Sequence, residues 1–215
     1  MTALCSGYRM IDTAEAYGNT RKTVEASLEK LKTGYLNLVL LHWPFGNYYA
    51  AWRELEKLYR EGKIRAIGVS NFTPDRLIDL IEFNQVTPAV NQIETHLLCQ
   101  RRAEHEWLEK YHVRHMAYAP LGQGRKNEMF ENPVLTEIAK VHGKTAAQTA
   151  LRFLMQSGAA VIPKSVHEER IRENFDVFDF ELTADEMERL VKMDTAVPVI
   201  GNPENPTVVE AAMKW

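Results

Sequence analysis

The sequence predicts an α/β fold of the (β/α)8 barrel class, with two of the eight strands lacking a counterpart along the chain. Three observations predict it. Short apolar strand-like runs alternate with helix-like segments along the 215 residues. The run at 35–42 is almost continuously Leu and Val, which suits a parallel strand buried on both faces. Polar residues gather at the C-terminal ends of the strand-like runs: Asp12, His42, Ser70 with Asn71, Glu94 with His96, Tyr118, and Lys164 with Ser165. Strands separated by helices pair in parallel through right-handed crossovers, which leaves a closed barrel or an open doubly wound sheet. A ring of polar groups at the C-terminal mouth is what a barrel builds from its βα loops, whereas an open sheet concentrates its site at one switch point.

Taken in order, residues 8–13 read as a strand, 23–32 as a helix and 35–42 as a strand. A helix is expected over 49–61, where Trp52, Leu55, Leu58 and Tyr59 fall at helical spacing and Gly62 supplies the stop. Residues 63–70 form the next strand. Thr73 and Pro74 read as N-cap and first turn of a helix running to Phe83, and Pro88 introduces a strand over 89–96. A helix over 101–112, a strand over 113–119, helices over 132–142 and 145–157 and a strand over 159–165 continue the alternation. Helices over 168–175 and 183–193 follow, and Asn205-Pro206 caps a last short helix. Internal repeats and domain-scale linkers are not seen, so a single barrel domain over residues 1–215 is expected, incomplete at its start and between about 20 and 35.

Composition narrows the function classes. At 45% hydrophobic and 26% charged, with a net charge of −3, the chain reads as an ordinary globular protein with no basic surplus for nucleic acid. No apolar run approaches the ~18 residues of a membrane span, and residues 1–9 lack an apolar signal core. Cys5 and Cys99 match no metal or redox spacing, so two free thiols, no metal and a cytoplasmic location are expected.

Six stretches carry a resemblance. They are Gly7-Tyr8-Arg9-Met10-Ile11-Asp12-Thr13-Ala14 with Tyr17, then Leu41-His42-Trp43-Pro44, then the run from Gly62 to Phe72. Pro88 to Glu94, Ile162 to Val166 and Arg170 to Phe175 complete the set. Together the chain resembles the aldo-keto reductase family over nearly its whole length, in particular diketo-gluconate reductase-like and prostaglandin F synthase-like members. The resemblance implies hydride transfer from a reduced nicotinamide to an aldehyde or ketone, with a small-molecule carbonyl substrate.

Carried over residue by residue, the resemblance makes Tyr17 the proton donor and His42 the group that hydrogen-bonds the substrate carbonyl, with Trp43 on the pocket wall. Asp12 matches the aspartate that pairs with a lysine beside the donor. Ser70, Asn71 and Gln92 match the contacts to the nicotinamide carboxamide, and Tyr118 the aromatic that stacks on the ring. Leu121 and Gly122 lie on the loop over the pyrophosphate. Lys164, Ser165, Val166 and Arg170 match the grip on the adenosine 2′-phosphate, and Glu173 and Asn174 the adenine contacts. Two cations and a hydroxyl suit a phosphate dianion, so NADP is favoured over NAD. Taken singly, each residue also has a plain structural reading: Tyr17 as a loop aromatic, His42 as a buried histidine, Asp12 as a helix N-cap, Lys164 and Arg170 as solvated charges. The joint match favours the functional ones.

Three departures from the family pattern stand out: the opening hairpin and first strand have no counterpart, only one short helix fits between Asn19 and Leu36, and no residue matches the catalytic lysine. Lys22 and Lys32 are the nearest, but Val24, Leu28 and Leu31 form the apolar stripe and place both on the solvent side. Intact motifs elsewhere favour a functional member from which residues are missing. A nicotinamide-binding subunit without turnover is the alternative.

Overall fold

The computed structural model describes residues 20–200 and 202–212; the strand expected over 8–13, with Asp12 and Tyr17, lies outside them. In chain order the elements are α1 (Thr20–Leu31), β1 (Val39–Leu41), α2 (Tyr48–Arg60), β2 (Ile67–Ser70), α3 (Pro74–Glu82), β3 (Val90–Glu94), α4 (Arg102–Lys110), β4 (Arg114–Tyr118), α5 (Lys126–Phe130), α6 (Pro133–Val141), α7 (Ala146–Gln156), β5 (Ala160–Val161), α8 (Glu168–Phe175), α9 (Ala184–Val191) and α10 (Pro206–Ala212). No helix among the described residues is long and apolar enough to cross a membrane. The described residues group into two compact units, one of residues 20–93, 103–115 and 202–212, the other of residues 94–102 and 116–200.

In the first unit β2 is the centre. It pairs in parallel with β1 through Val39↔Ile67, Leu40↔Gly68 and Leu41↔Val69, and with β3 through Val69↔Asn91 and Ser70↔Gln92. The start of β4 follows β3, with Arg114 N–H donating to Ala89 O at 3.0 Å. All four β2 residues are buried, as a parallel strand covered on both faces requires.

Helix α2 supplies much of that cover. Trp52, Leu55 and Leu58 fall at three-residue intervals on one face and are at most 1% exposed. Each of the two leucines contributes about 1.5–3 kcal/mol by leaving water. Tyr59, expected on the same stripe, is 40% exposed because it lies one residue beyond the inward row. The Asn47 side chain caps the start by accepting Ala50 N–H at 3.2 Å. At the other end Gly62, at φ 73°, turns the chain so that Lys63 N–H reaches Leu58 O and Gly62 N–H reaches Tyr59 O, both at 3.0 Å. This is the glycine stop the sequence predicts.

One expectation in this unit needs correction. Leu31 is 60% exposed, so the inward stripe of α1 ends before it, although Lys22 and Lys32 are exposed as expected. Thr73 occupies the N-cap position of α3 ahead of Pro74, as expected; its side chain makes no cap hydrogen bond, and its hydroxyl donates to the Asp75 carboxylate. Asn205 behaves as expected, its side chain accepting Thr207 N–H at 3.0 Å at the head of α10.

The second unit joins β4 to β5 in parallel through Met116↔Ala160 and Ala117↔Val161. Three of its helices carry side-chain caps: Asn132 accepts Val134 N–H ahead of Pro133, while Thr145 with Gln148 and Thr183 with Glu186 form reciprocal capping boxes. Their inward faces assemble a core of Leu135, Ile138, Ala150, Phe153, Leu154 and Leu190. Helix α5 is unforeseen; five residues are too few to show a period, and it is held by fully buried Met129. Strands are shorter than their apolar runs: 35–42 contracts to Val39–Leu41 with an isolated bridge at Leu36↔Ile64, and 159–165 contracts to Ala160–Val161.

Gly68 shows how tightly the first unit is packed. A Cβ there would sit 2.7 Å from Val90 Cγ2, 2.8 Å from Leu40 Cδ2 and 2.9 Å from Val90 O. Because one of these neighbours is backbone of the adjoining strand, Gly68→Ala is expected to destabilise by about 1–3 kcal/mol. Urea unfolding followed by circular dichroism checks it, and a midpoint equal to that of the parent would reject the close-packing account.

Candidate active site

The polar groups of the first unit emerge where β1, β2 and β3 end. Ser70 closes β2 and is fully buried; its hydroxyl donates to Gln92 O at 2.8 Å. Asn71 turns the chain at φ 61°, a left-handed value that asparagine tolerates better than most residues. Its N–H donates to Gln92 O at 2.9 Å, and its side-chain Nδ2 donates to His42 O at 3.0 Å and Ser70 Oγ at 3.1 Å. Immediately beneath, buried Asn91 donates to Phe72 O at 2.7 Å and accepts Phe72 N–H at 3.4 Å. The Ser70 and Asn71 side chains are thus laced to the backbone carbonyls of Gln92 in β3 and of His42 after β1 in one buried polar group.

The His42 ring is half-buried and meets Trp43 edge-on at 6.0 Å. Trp43 is itself buried, stacked on Phe45 at 5.3 Å with 10° between the ring planes, and packed with Ala212 and Val209 of α10. The partnership of Trp43 with Phe45 was not legible in the sequence beyond the i, i+2 spacing.

The second unit carries a separate polar group. Glu94, the last residue of β3, has a fully buried side chain. Its Oε1 accepts Val199 N–H at 2.7 Å and its Oε2 accepts Ile200 N–H at 2.8 Å. His96 stands 3.2 Å from Oε1 through Nε2 while its Nδ1 accepts Leu98 N–H at 3.2 Å, which places the ring proton facing Glu94 on Nε2. Burial pushes the Glu94 carboxyl upward, but the hydrogen bonds from His96, Val199 and Ile200 prevail and hold it below its usual range. The half-buried Tyr118 hydroxyl lies 3.4 Å from Ile200 O. Burial, reinforced by the Glu94 charge, pushes the phenol well above its ordinary value, so it remains a neutral donor. Glu94 and His96 were visible as polar residues at a strand end; their partners, more than a hundred residues on for Glu94, were not.

The remaining expected residues of this unit follow Tyr118 and β5. Leu121 packs on the core, and Gly122 turns at φ 64° with its N–H on Ala119 O at 2.9 Å. Lys164, Val166 and Arg170 are exposed, Ser165 half-buried, and neither cation forms an ion pair among the described residues. By contrast Arg172, two residues further along α8, pairs with Glu168 at 2.7 Å. Glu173 accepts the Thr145 hydroxyl at 2.5 Å, and Asn174 is buried.

Comparison with known proteins places the chain. The profile of the Aldo/keto reductase family matches residues 18–195. The chain belongs to the aldo/keto reductase family. Among its relatives, a 9,11-endoperoxide prostaglandin H2 reductase of Trypanosoma cruzi is 41% identical over 192 residues, 89% of this chain and 68% of the relative. Methylglyoxal reductase DkgA of Yersinia pestis is 42% identical over 189 residues, 86% of this chain and 68% of the relative. A solved structure of a Gox0644 variant in complex with NADPH superposes with a TM-score of 0.83 at 36% identity, covering 91% of this chain and 73% of that one. The parallel strands and intervening helices are therefore those of the α/β barrel of this family of oxidoreductases. Exposed Lys164 and Arg170 beside Ser165, without acidic partners among the described residues, fit the phosphate-rich NADP that the family calls for.

Asn71 does two things, and substitutions separate them. Asn71→Gly keeps the left-handed turn and loses the side-chain hydrogen bonds to His42 O and Ser70 Oγ; Asn71→Ala loses the same bonds and keeps a Cβ in a left-handed region that alanine tolerates less well than asparagine. Chemical denaturation is expected to find both destabilised, with the alanine variant lower by about a further 1 kcal/mol. Equal stabilities would reject the backbone contribution.

Proposed function

We propose that this chain reduces a small reactive carbonyl compound, an aldehyde or ketone such as methylglyoxal, to an alcohol with NADPH. The observation that carries this reading is the buried group of Ser70, Asn71 and Gln92 at the strand ends of a chain belonging to this family. The substrate class is supported by the 42% identity to a methylglyoxal reductase.

When bound, NADPH supplies the hydride that adds to the carbonyl carbon. The protein's share is to hold, orient and deliver a proton. Ser70, Asn71 and Gln92 hold the nicotinamide carboxamide; the laced hydrogen bonds keep the Ser70 and Asn71 side chains in place, so little ordering of these two remains when the amide arrives. Tyr118 offers its ring as the stacking surface, and Leu121 and Gly122 pass beside the pyrophosphate. Lys164, Ser165, Val166 and Arg170 hold the 2′-phosphate, with Glu173 and Asn174 at the adenine. His42 orients the substrate carbonyl, Trp43 shapes the pocket wall, and Tyr17, supported by Asp12, protonates the oxygen as hydride arrives. A coenzyme-binding role without turnover is the second reading: Lys22 and Lys32, the lysines nearest the expected position, are both exposed.

Mixing the purified protein with NADPH and methylglyoxal, and following absorbance and coenzyme fluorescence separately, is expected to show oxidation of NADPH; binding without oxidation would select the second reading. Tyr17→Phe is expected to abolish turnover while NADPH binding persists. Replacing Lys164 and Arg170 together by Ala is expected to weaken NADPH binding by about 10–100-fold and NADH binding little, as loss of charge-assisted phosphate contacts requires. Equal weakening of both coenzymes would remove the 2′-phosphate assignment.

A further inference from the structure

The segment 195–200 between α9 and α10 has no regular structure, and Val199 is 41% exposed, yet it is tied down at several points. Thr195 donates to Leu98 O through both N–H, at 3.0 Å, and Oγ1, at 2.7 Å, and Arg125 Nη1 donates to Thr195 Oγ1 at 3.0 Å. Its far end is held by Glu94, whose two carboxylate oxygens take the successive amides of Val199 and Ile200. Beyond that grip, Ile200 O faces the Tyr118 hydroxyl, and Val199 Cγ1 lies 2.8 Å from where a Cβ of Gly124 would be.

A fully buried carboxylate is an expensive way to anchor a surface segment. Stripping its water costs several kcal/mol, returned only where hydrogen bonds satisfy both oxygens, and an apolar side chain at the same place would generally stabilise as well. What a carboxylate provides and an apolar group cannot is directional hold: two amides fixed in orientation, and with them the peptide carbonyl of Ile200. A direct acid–base role for Glu94 and His96 is excluded in this conformation, since both side chains are 0% exposed.

We propose that Glu94 is a positioning residue, gripping the amides of Val199 and Ile200 so that the segment 195–200 holds the Tyr118 ring in the orientation that receives the nicotinamide. The chain of contacts runs carboxylate, tail amides, Ile200 carbonyl, Tyr118 hydroxyl, ring. Burial and the Glu94 charge keep that hydroxyl protonated, as a donor must be. The inference rests on the reading of Tyr118 as the stacking aromatic.

The test uses Glu94→Ala and Glu94→Gln in the whole chain, with amide hydrogen exchange and NADPH fluorescence titration. In E94A the amides of Val199 and Ile200 should exchange at least about tenfold faster, while the β4–β5 amides stay protected. NADPH should bind about tenfold more weakly, with altered fluorescence of the bound coenzyme. E94Q, which keeps one acceptor and the shape, should fall between, and it carries the test if E94A does not fold. In a Tyr118→Phe background, where the hydroxyl link is already cut, E94Q should have little further effect on NADPH binding. Faster tail exchange with unchanged NADPH affinity and fluorescence would overturn the proposal and leave the coenzyme reading standing. Failure of the unaltered chain to bind NADPH would overturn both.

Discussion

A parallel strand buried on both faces can place functional polar groups only where it stops, and β2 imposes that constraint on the first unit. Ile67, Gly68, Val69 and Ser70 are all buried, and Gly68 has no room for a methyl group between Leu40 and Val90. The polar side chains of this strand therefore begin at Ser70 and the turn after it. Asn71 takes a left-handed conformation there, and its amide returns to bond Ser70 and His42. Ser70 and Asn71 are the polar rim of a strand that is apolar and tightly packed up to that point.

The second unit solves a related problem differently. β3 also ends in a polar residue, but Glu94 is buried where water cannot reach it, and it is satisfied by backbone amides of a distant segment together with His96. The lowered carboxyl affinity for protons follows from those bonds prevailing over desolvation. In both units a short strand end becomes useful because hydrogen bonds, rather than apolar packing, decide where the next residues go. Trp43 illustrates the contrast: it is held by stacking on Phe45 and by Val209 and Ala212, contacts that fix its position and leave direction to the ring planes.

Much of the fold was legible in the sequence. Each of the five described strands lies inside a strand-like run that the sequence marks, and Gly62, Thr73 with Pro74, and Asn205 with Pro206 end or begin helices by mechanisms local enough to be read from neighbours. The misreadings have equally local causes. Leu31 lies past the last inward turn, and α5 is little more than a single turn. Strand lengths were overestimated because apolar content continues beyond the last ladder hydrogen bond.

Residue types and their spacing determined the fold family and the chemistry expected of it, since hydrophobic period, caps and strand-end polarity are properties of short segments. Which polar groups meet was decided only by tertiary structure. The bonds from Asn71 to the His42 carbonyl, from Glu94 to the amides of Val199 and Ile200, and from Tyr118 to the Ile200 carbonyl join residues far apart along the chain, each engaging backbone on at least one side. Backbone amides and carbonyls are the same at every position, so no residue pattern announces them. Only the folded path of the chain brings a particular amide within reach of a particular side chain.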